Sequence, residues 1–240
     1  MPLKKELQIT KNNQMNKKAN YQKQLDKLLE QLPVAPQKPT LLLHACCGPC
    51  SSYVLEYLCS HFEITVLYYN PNIYPAEEYE RRLNELLNFY TKFVPAKNVR
   101  VIHAPYEPEE FYTAVGTREN PALADEPERG ERCRRCYELR LRYTYDYACE
   151  HKFDYFCTTL SISPFKDADM INEIGACLGE GGLRSFESLR TAEPQGPRWL
   201  PSDFKKNNGF KRSLELSAEF DLYRQEYCGC IYSTTKKISK

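Results

Sequence analysis

The stretch Leu41-Leu42-Leu43-His44-Ala45-Cys46-Cys47-Gly48-Pro49-Cys50-Ser51-Ser52 constrains the fold more than any other part of the chain. Three consecutive leucines read as the core of a buried strand, and Gly48-Pro49 punctuates a tight turn directly after it. From Ser51 onward, through Val54, Leu55 and Leu58, the pattern reads as a helix. Three thiols, Cys46, Cys47 and Cys50, therefore fall where a strand ends and a helix begins. In open α/β sheets that edge is where ligands bind. A lone cysteine there would read as a small buried hydrophobe, whereas three within five positions read as a site.

The alternation continues along the chain. Residues 64–69 are β-branched and aromatic and predict a second strand, followed by a loop, 70–75, whose prolines and asparagines fix its turns. A helix is predicted over 76–90, with Glu77, Glu78, Glu80, Arg81, Arg82 and Glu85 on a solvated face of ion pairs; Arg81 and Arg82 are weaker candidates for substrate phosphate. Residues 99–104 predict a third strand and 108–115 a short helix. Residues 116–131 lose periodicity and read as a surface excursion. A helix over 132–151, a strand over 154–160 and a helix over 167–178 follow. Strands alternating with helices predict an α/β fold, a parallel sheet covered on both faces. Right-handed crossovers then put the 46–50 turn and the 160–166 loop on one edge. Residues 186–201 read as irregular and hold the only tryptophan, Trp199, and 209–217 as a loop entering a helix. Residues 1–38 form a polar leader, partly disordered, with a helical stripe at Tyr21, Leu25, Leu28, Leu29 and Leu32 ended by prolines. Residues 39–240 are expected to be one catalytic domain.

Composition decides which chemistry those thiols suit. Eleven cysteines would suit a cross-linked secreted protein, but the start, Met1-Pro2-Leu3-Lys4-Lys5-Glu6, has no apolar signal region, and no run is long enough to span a membrane. A cytoplasmic, reducing setting is expected, where clustered cysteines bind metal or do redox chemistry. With 33 Lys and Arg against 32 Asp and Glu, no global basic field announces nucleic acid, so any RNA contact must use a local face.

Seven thiols fall into three groups: 46/47/50, 133/136 and 228/230. Cys133 and Cys136 share one face of a first helical turn, where the positive helix end and Arg132, Arg134 and Arg135 are expected to favour thiolates. Cys228-Gly229-Cys230 can close a very small, easily reduced disulfide ring, with glycine relieving strain; a metal-ligating pair is the alternative. Cys59, Cys149, Cys157 and Cys177 lie in helical or strand patterns and are assigned to packing. Two groups together make a four-sulfur site, and ligand count allows zinc or an iron–sulfur cluster. Adjacent Cys46 and Cys47 fit the usual zinc spacing poorly, which favours a cluster.

Taken together, His44-Ala45-Cys46-Cys47-Gly48-Pro49-Cys50, Tyr69-Asn70-Pro71-Asn72-Ile73, Glu78-Tyr79-Glu80-x-Arg82, Cys133-x-x-Cys136, Thr158-Thr159-Leu160-x-x-Ser163-Pro164-x-Lys166 and Tyr227-Cys228-Gly229-Cys230-x-Tyr232-Ser233 resemble the cobalamin-independent epoxyqueuosine reductases of the QueH family, from about residue 40 to 233. The resemblance implies a Rossmann-like sheet of the adenine nucleotide α-hydrolase type, with a helical or irregular C-terminal part. It implies an enzyme that reduces epoxyqueuosine to queuosine at the wobble position of tRNAs for Asp, Asn, His and Tyr, fed by an external electron donor. It assigns Cys46, Cys47, Cys133 and Cys136 to a [4Fe-4S] cluster and Cys228 and Cys230 to a redox-active disulfide. Cys50 fits the same motif and is the candidate ligand of a second iron. An anticodon loop offers unstacked bases, for which Tyr69, Tyr74, Arg134, Arg135 and Trp199 are candidate partners, with Lys205, Lys206, Lys211 and Arg212 as candidate phosphate contacts. A zinc-stabilised RNA-binding module and a metal-free thiol–disulfide oxidoreductase remain the alternative classes.

Overall fold

Continuous burial along the first strand, whose side chains alternate between two covered faces, organises both sides of the sheet. The computed structural model describes residues 19–32, 37–180 and 196–233; the readings made on residues 1–18, 33–36 and 186–195 lie outside them. Five strands, β1 (Thr40–His44), β2 (Glu63–Tyr68), β3 (Arg100–His103), β4 (Tyr155–Thr158) and β5 (Arg198–Trp199), form one all-parallel sheet in the order β3-β2-β1-β4-β5. Leu41 and Leu43 point to one face and Leu42 to the other, as the pleat requires. Each is fully buried, worth about 1.5–3 kcal/mol apiece.

On the Leu41/Leu43 face pack α1 (Tyr21–Gln31), α2 (Gly48–Leu58), α3 (Ala76–Lys92) and α8 (Gly209–Glu219), through Leu25, Val54, Leu55, Leu86, Phe89 and Leu216. The helical stripe expected in the polar leader is part of this core: Leu25 is fully buried and Tyr57 donates to Asp26 Oδ1 at 2.5 Å. On the Leu42 face lie α6 (Glu131–Glu150) and α7 (Ala168–Gly179), through Tyr137, Leu141, Ile171 and Ile174. The short helices α4 (Pro108–Val115) and α5 (Ala122–Asp125) cover the end of α6 nearest its N-terminus. The chain runs outward from β1 through β2 and β3, and on the other side from β4 to β5. The switch point is thus the crevice beyond the C-terminal ends of β1 and β4. Both the sulfur turn and the loop after β4 are delivered there. Among the described residues, no helix is long and apolar enough to cross a membrane.

Local details differ from the sequence reading. Strand β4 stops at Thr158, whose Oγ1 accepts the Leu160 N–H at 3.2 Å and starts a 3-10 turn over Thr159–Ile162. The aperiodic excursion contains α5, whose carbonyls at Leu123 and Ala124 each accept from the buried Arg132 guanidinium at 2.7 Å. Trp199 is neither irregular nor available to RNA. It pairs with Phe156 as part of β5, its indole N–H donates to Asn172 Oδ1 at 3.1 Å, and its ring meets Phe156 edge-on. Cys149 and Cys177 are exposed rather than packed, whereas Cys157 is buried as expected.

Gly175 in α7 lies directly under the indole: a Cβ there would sit 2.3 Å from ring atoms of Trp199. Gly175→Ala should gain about 1 kcal/mol of helix propensity but lose about 1–3 kcal/mol by overpacking. The expected outcome is a lower urea midpoint together with altered emission from the only tryptophan. An unchanged or higher midpoint would contradict this packing.

Candidate active site at the sheet switch point

Strand β1 runs straight into the sulfur turn. The sulfur atoms of Cys46, Cys47 and Cys50 all lie within 4.8 Å of one another, the one such group of three or more potential metal ligands among the described residues. None is in a disulfide, and Cys46 and Cys47 Sγ are 3.7 Å apart. Cys47 is the extended N-cap of α2 and Pro49 occupies its first turn, so the positive end of that helix faces the turn. Hydrogen bonds from Cys47 and Cys50 hold Cys46 well below the usual thiol range. Burial and the neighbouring Cys46 push Cys47 up to about 12, and hydrogen bonding to Cys46 and Cys47 raises Cys50. Clustered soft donors of this kind fit a thiophilic metal, which displaces the thiol protons on binding.

A buried polar clasp holds the turn in place. His44 is fully buried, with Nδ1 2.8 Å from Thr158 Oγ1 and Nε2 3.0 Å from the Tyr69 carbonyl. Burial, and then the nearby Arg140, lower its pKa to about 3, so the ring is neutral. The tautomer protonated at Nε2 satisfies both contacts, and leaves the Arg140 Nε–H, 3.4 Å from that nitrogen, with no acceptor there. Asn70 Nδ2 donates to the Ala45 carbonyl at 2.9 Å, and Arg140 Nη2 donates to Asn70 Oδ1 at 2.6 Å. Strands β1 and β4, the loop after β2 and helix α6 are joined by these bonds. Tyr69, offered by the sequence as an RNA contact, instead stacks on Tyr143 and donates to Glu110 Oε2 at 2.6 Å.

Cys133 and Cys136 fall outside the 4.8 Å group. Burial raises both thiols, against the expectation that the helix end would favour thiolates. That end is already met: the Glu126 carboxylate accepts the Arg132 N–H at 2.9 Å, and the Arg132 side chain turns to α5. Cys136 packs with Cys230, Phe111 and Val115. The 133/136 pair is therefore near the C-terminal pair.

The C-terminal segment is pinned across the crevice. Gly229 adopts φ +110°, a left-handed value that suits glycine, and a Cβ there would meet Arg82 Nη1 at 3.0 Å and Ile73 at 3.1 Å. The Gly229 carbonyl accepts from Tyr74 N–H at 2.8 Å, and Tyr227 donates to the Tyr74 carbonyl at 2.7 Å. Glu78 and Arg82 are buried here, not on a solvated face: Arg82 Nε contacts Glu78 Oε1 at 2.6 Å, and Nη2 reaches the Tyr227 carbonyl at 3.5 Å. Arg81 is exposed and covers the Tyr223 ring. Gln225 Nε2 donates to Cys47 Sγ at 3.0 Å, joining residues 178 positions apart. Cys228 and Cys230 Sγ are 3.6 Å apart, and neither is in a disulfide. The Cys230 thiol and the Lys166 ammonium hold Cys228 well below the usual range, while Cys230 itself is raised by the same pairing and by burial.

Cys46, Cys50, Arg140, Lys166 and Cys228 line one cavity of about 520 Å³. Two sulfur groups far apart in sequence therefore open on a common space. Lys166, Arg140 and Gln225 were missed as functional residues by sequence reasoning. Lys166 had a signal in the Ser163-Pro164-Phe165-Lys166 run; the other two had none. Of the expected phosphate contacts, Arg212 is committed to Glu56 and Glu215, and Lys205 to Asp203 at 2.6 Å. Arg134 faces Glu138 at 3.9 Å, Arg135 pairs with Glu131 at 2.9 Å, and Tyr74 is exposed.

The clasp generates a prediction. Arg140→Met removes the donor to Asn70 Oδ1, and leaving that oxygen unpaired should cost about 1–3 kcal/mol in urea unfolding. Arg140→Lys should not restore the loss, because a lysine lacks the planar fork. Full stability in either variant would mean that the clasp does not hold α6 to the sulfur turn.

Comparison with known proteins agrees with this geometry. The family described as Epoxyqueuosine reductase QueH matches residues 41–236. Proteins named epoxyqueuosine reductase QueH include one from Staphylococcus epidermidis, 38% identical over 224 residues, covering 92% of this chain and 87% of that protein. One from Streptococcus pyogenes is 39% identical over 228 residues, covering 94% and 82%. One from Thermotoga maritima is 31% identical over 207 residues, covering 84% and 93%. With the sulfur turn, the clasp and the C-terminal cysteine pair all inside the matched span, the chain belongs to the epoxyqueuosine reductase QueH family.

Proposed function

We propose that this chain is an epoxyqueuosine reductase acting on tRNA, removing the epoxide oxygen at the wobble position of tRNAs for Asp, Asn, His and Tyr to give queuosine. The observation that carries the reading is the common cavity into which Cys46, Cys50 and Cys228 open. Converting an epoxide to an alkene and water takes two electrons and two protons. Closing the Cys228 and Cys230 thiols to a disulfide releases two of each, so the exchange balances. An external electron donor then reduces the disulfide for the next turnover. Their Sγ separation of 3.6 Å is short enough that closure needs only a local shift. The Cys230 thiol and then Lys166 favour ionisation of Cys228, the form that reacts. A proton that has already left Cys228 is returned from solvent, so two protons and two electrons are still delivered overall.

The packed sulfurs of Cys46, Cys47 and Cys50 support a thiophilic metal at the turn, and Cys133 and Cys136, which lie outside that group, complete the proposed ligand set. Cys46, Cys47, Cys133 and Cys136 would hold a [4Fe-4S] cluster and Cys50 a second iron, which when bound supply single-electron transfer and a Lewis-acidic iron. Around it the chain's own residues do the positioning. Gln225 ties the C-terminal segment to Cys47, and Arg82 with Glu78 holds the backbone before Cys228.

Protein purified and reconstituted without oxygen should be brown and carry about four irons and four sulfides per chain for the cubane alone. Single Cys→Ser changes at 46, 47, 133 and 136 should each lower that content. Colourless, zinc-loaded protein would favour the RNA-binding module, and metal-free turnover the simple thiol oxidoreductase. Separately, Cys228→Ser should keep the absorbance yet lose multiple turnover on epoxyqueuosine-containing tRNA; full turnover in that variant would reject the dithiol role.

A further inference from the structure

The loop at the cavity mouth carries an aromatic ring for which redox chemistry has no use. Phe165 lines the sulfur cavity yet is 66% exposed, more than any other aromatic side chain among the described residues. Leaving a phenyl ring in water forgoes its burial energy, and nothing in the loop compels it by disorder. The backbone around Phe165 is tied down: its N–H donates to Ser163 Oγ at 3.3 Å and the Lys166 N–H to the Ser163 carbonyl at 3.2 Å. From the other side, the Arg129 guanidinium donates to the carbonyls of both Pro164 and Phe165. Arg129 makes this reach from a left-handed backbone, φ +71°, which a non-glycine residue adopts at a cost. A strained residue thus braces a loop that holds a ring outward.

The surroundings say what the ring faces. On one side is the cavity with Cys46, Cys50 and Cys228. On the other is a smaller one of about 350 Å³, sharing Pro164 and Lys166 with the first and lined by Arg129, Lys205 and Lys206. Its carboxylates are in part engaged internally: Asp203 with Lys205, and Asp167 as the N-cap of α7 through Met170 N–H. Lys206 is exposed. A preorganised ring flanked by cations and standing between two pockets matches single-stranded nucleic acid, whose bases offer flat faces and whose backbone offers charge.

We infer that Phe165 is a stacking platform for an unpaired RNA base next to the one that enters the sulfur cavity, with Arg129 and Lys206 facing the adjoining phosphates. The inference rests on the tRNA reading above and adds to it a substrate-binding residue.

The test uses the full-length protein and an unmodified anticodon stem-loop RNA, together with two versions lacking the base on either side of the wobble position. Phe165→Ala should weaken binding of the intact hairpin by about 5- to 100-fold, the size of one base–aromatic stack. Phe165→Trp should restore it to within about threefold, since any flat ring serves. One of the two abasic hairpins should weaken wild-type binding by a similar factor and the Phe165→Ala variant no further. That coupling is what a merely structural role would not produce. Equal losses on the abasic hairpins in wild type and variant, or intact-hairpin affinity within about twofold of wild type, would overturn the stacking role while leaving the reductase reading intact. Wild-type protein that neither binds the hairpin nor turns over epoxyqueuosine-containing tRNA would overturn both.

Discussion

Everything at the sulfur site depends on a handful of buried hydrogen bonds behind it. Arg140 holds Asn70, Asn70 holds the Ala45 carbonyl, and the neutral His44 ring joins Tyr69 to Thr158. In a low-dielectric interior such a network is worth having only if each member is satisfied, and here each named bond is short and internal. Because these bonds tie two strand ends, one loop and α6, the thiols rest on a rigid base rather than a mobile turn. A loop with three cysteines would otherwise be free to collapse into non-native disulfides.

Electrostatics within the sulfur clusters follows the same pattern at both ends of the chain. One thiol is pulled down by its neighbours while the others are pushed up: Cys46 against Cys47 and Cys50, Cys228 against Cys230. Adjacent sulfurs disfavour one another's ionisation unless a cation lies among them. At the turn Arg140 favours the ionised form; at the C-terminal pair Lys166 does. A bound metal would supply the missing positive charge, and a disulfide would remove the need for one.

Closure of the crevice is a matter of long-range packing. The C-terminal segment packs Cys230 and Tyr232 against Phe111 and is held by polar contacts from Arg82, Glu78, Tyr74 and Gln225. Glu78 and Arg82 illustrate how a helix face can mislead. Their spacing is that of an ordinary surface ion pair, but the returning chain covers them and turns a solvent-exposed pair into a buried anchor.

The sequence by itself determined the α/β alternation, the position of the sulfur turn at a strand end and the family, because short apolar and β-branched runs, helical stripes and contiguous motifs are local signals. It also determined that α1 carries an apolar stripe, though not that Leu25 completes the domain core. Only the tertiary structure decided that Trp199 is a buried strand residue packed on a glycine, that Cys133 and Cys136 are desolvated rather than activated, and that Cys228 opens on the same cavity as Cys46. These depend on which surfaces meet in space, whether the partners are 27 positions apart, as Asn172 and Trp199 are, or come from opposite ends of the domain, as Cys46 and Cys228 do. Burial of a charge or thiol is a property of its neighbours in space, and no periodicity in the chain records who those neighbours are.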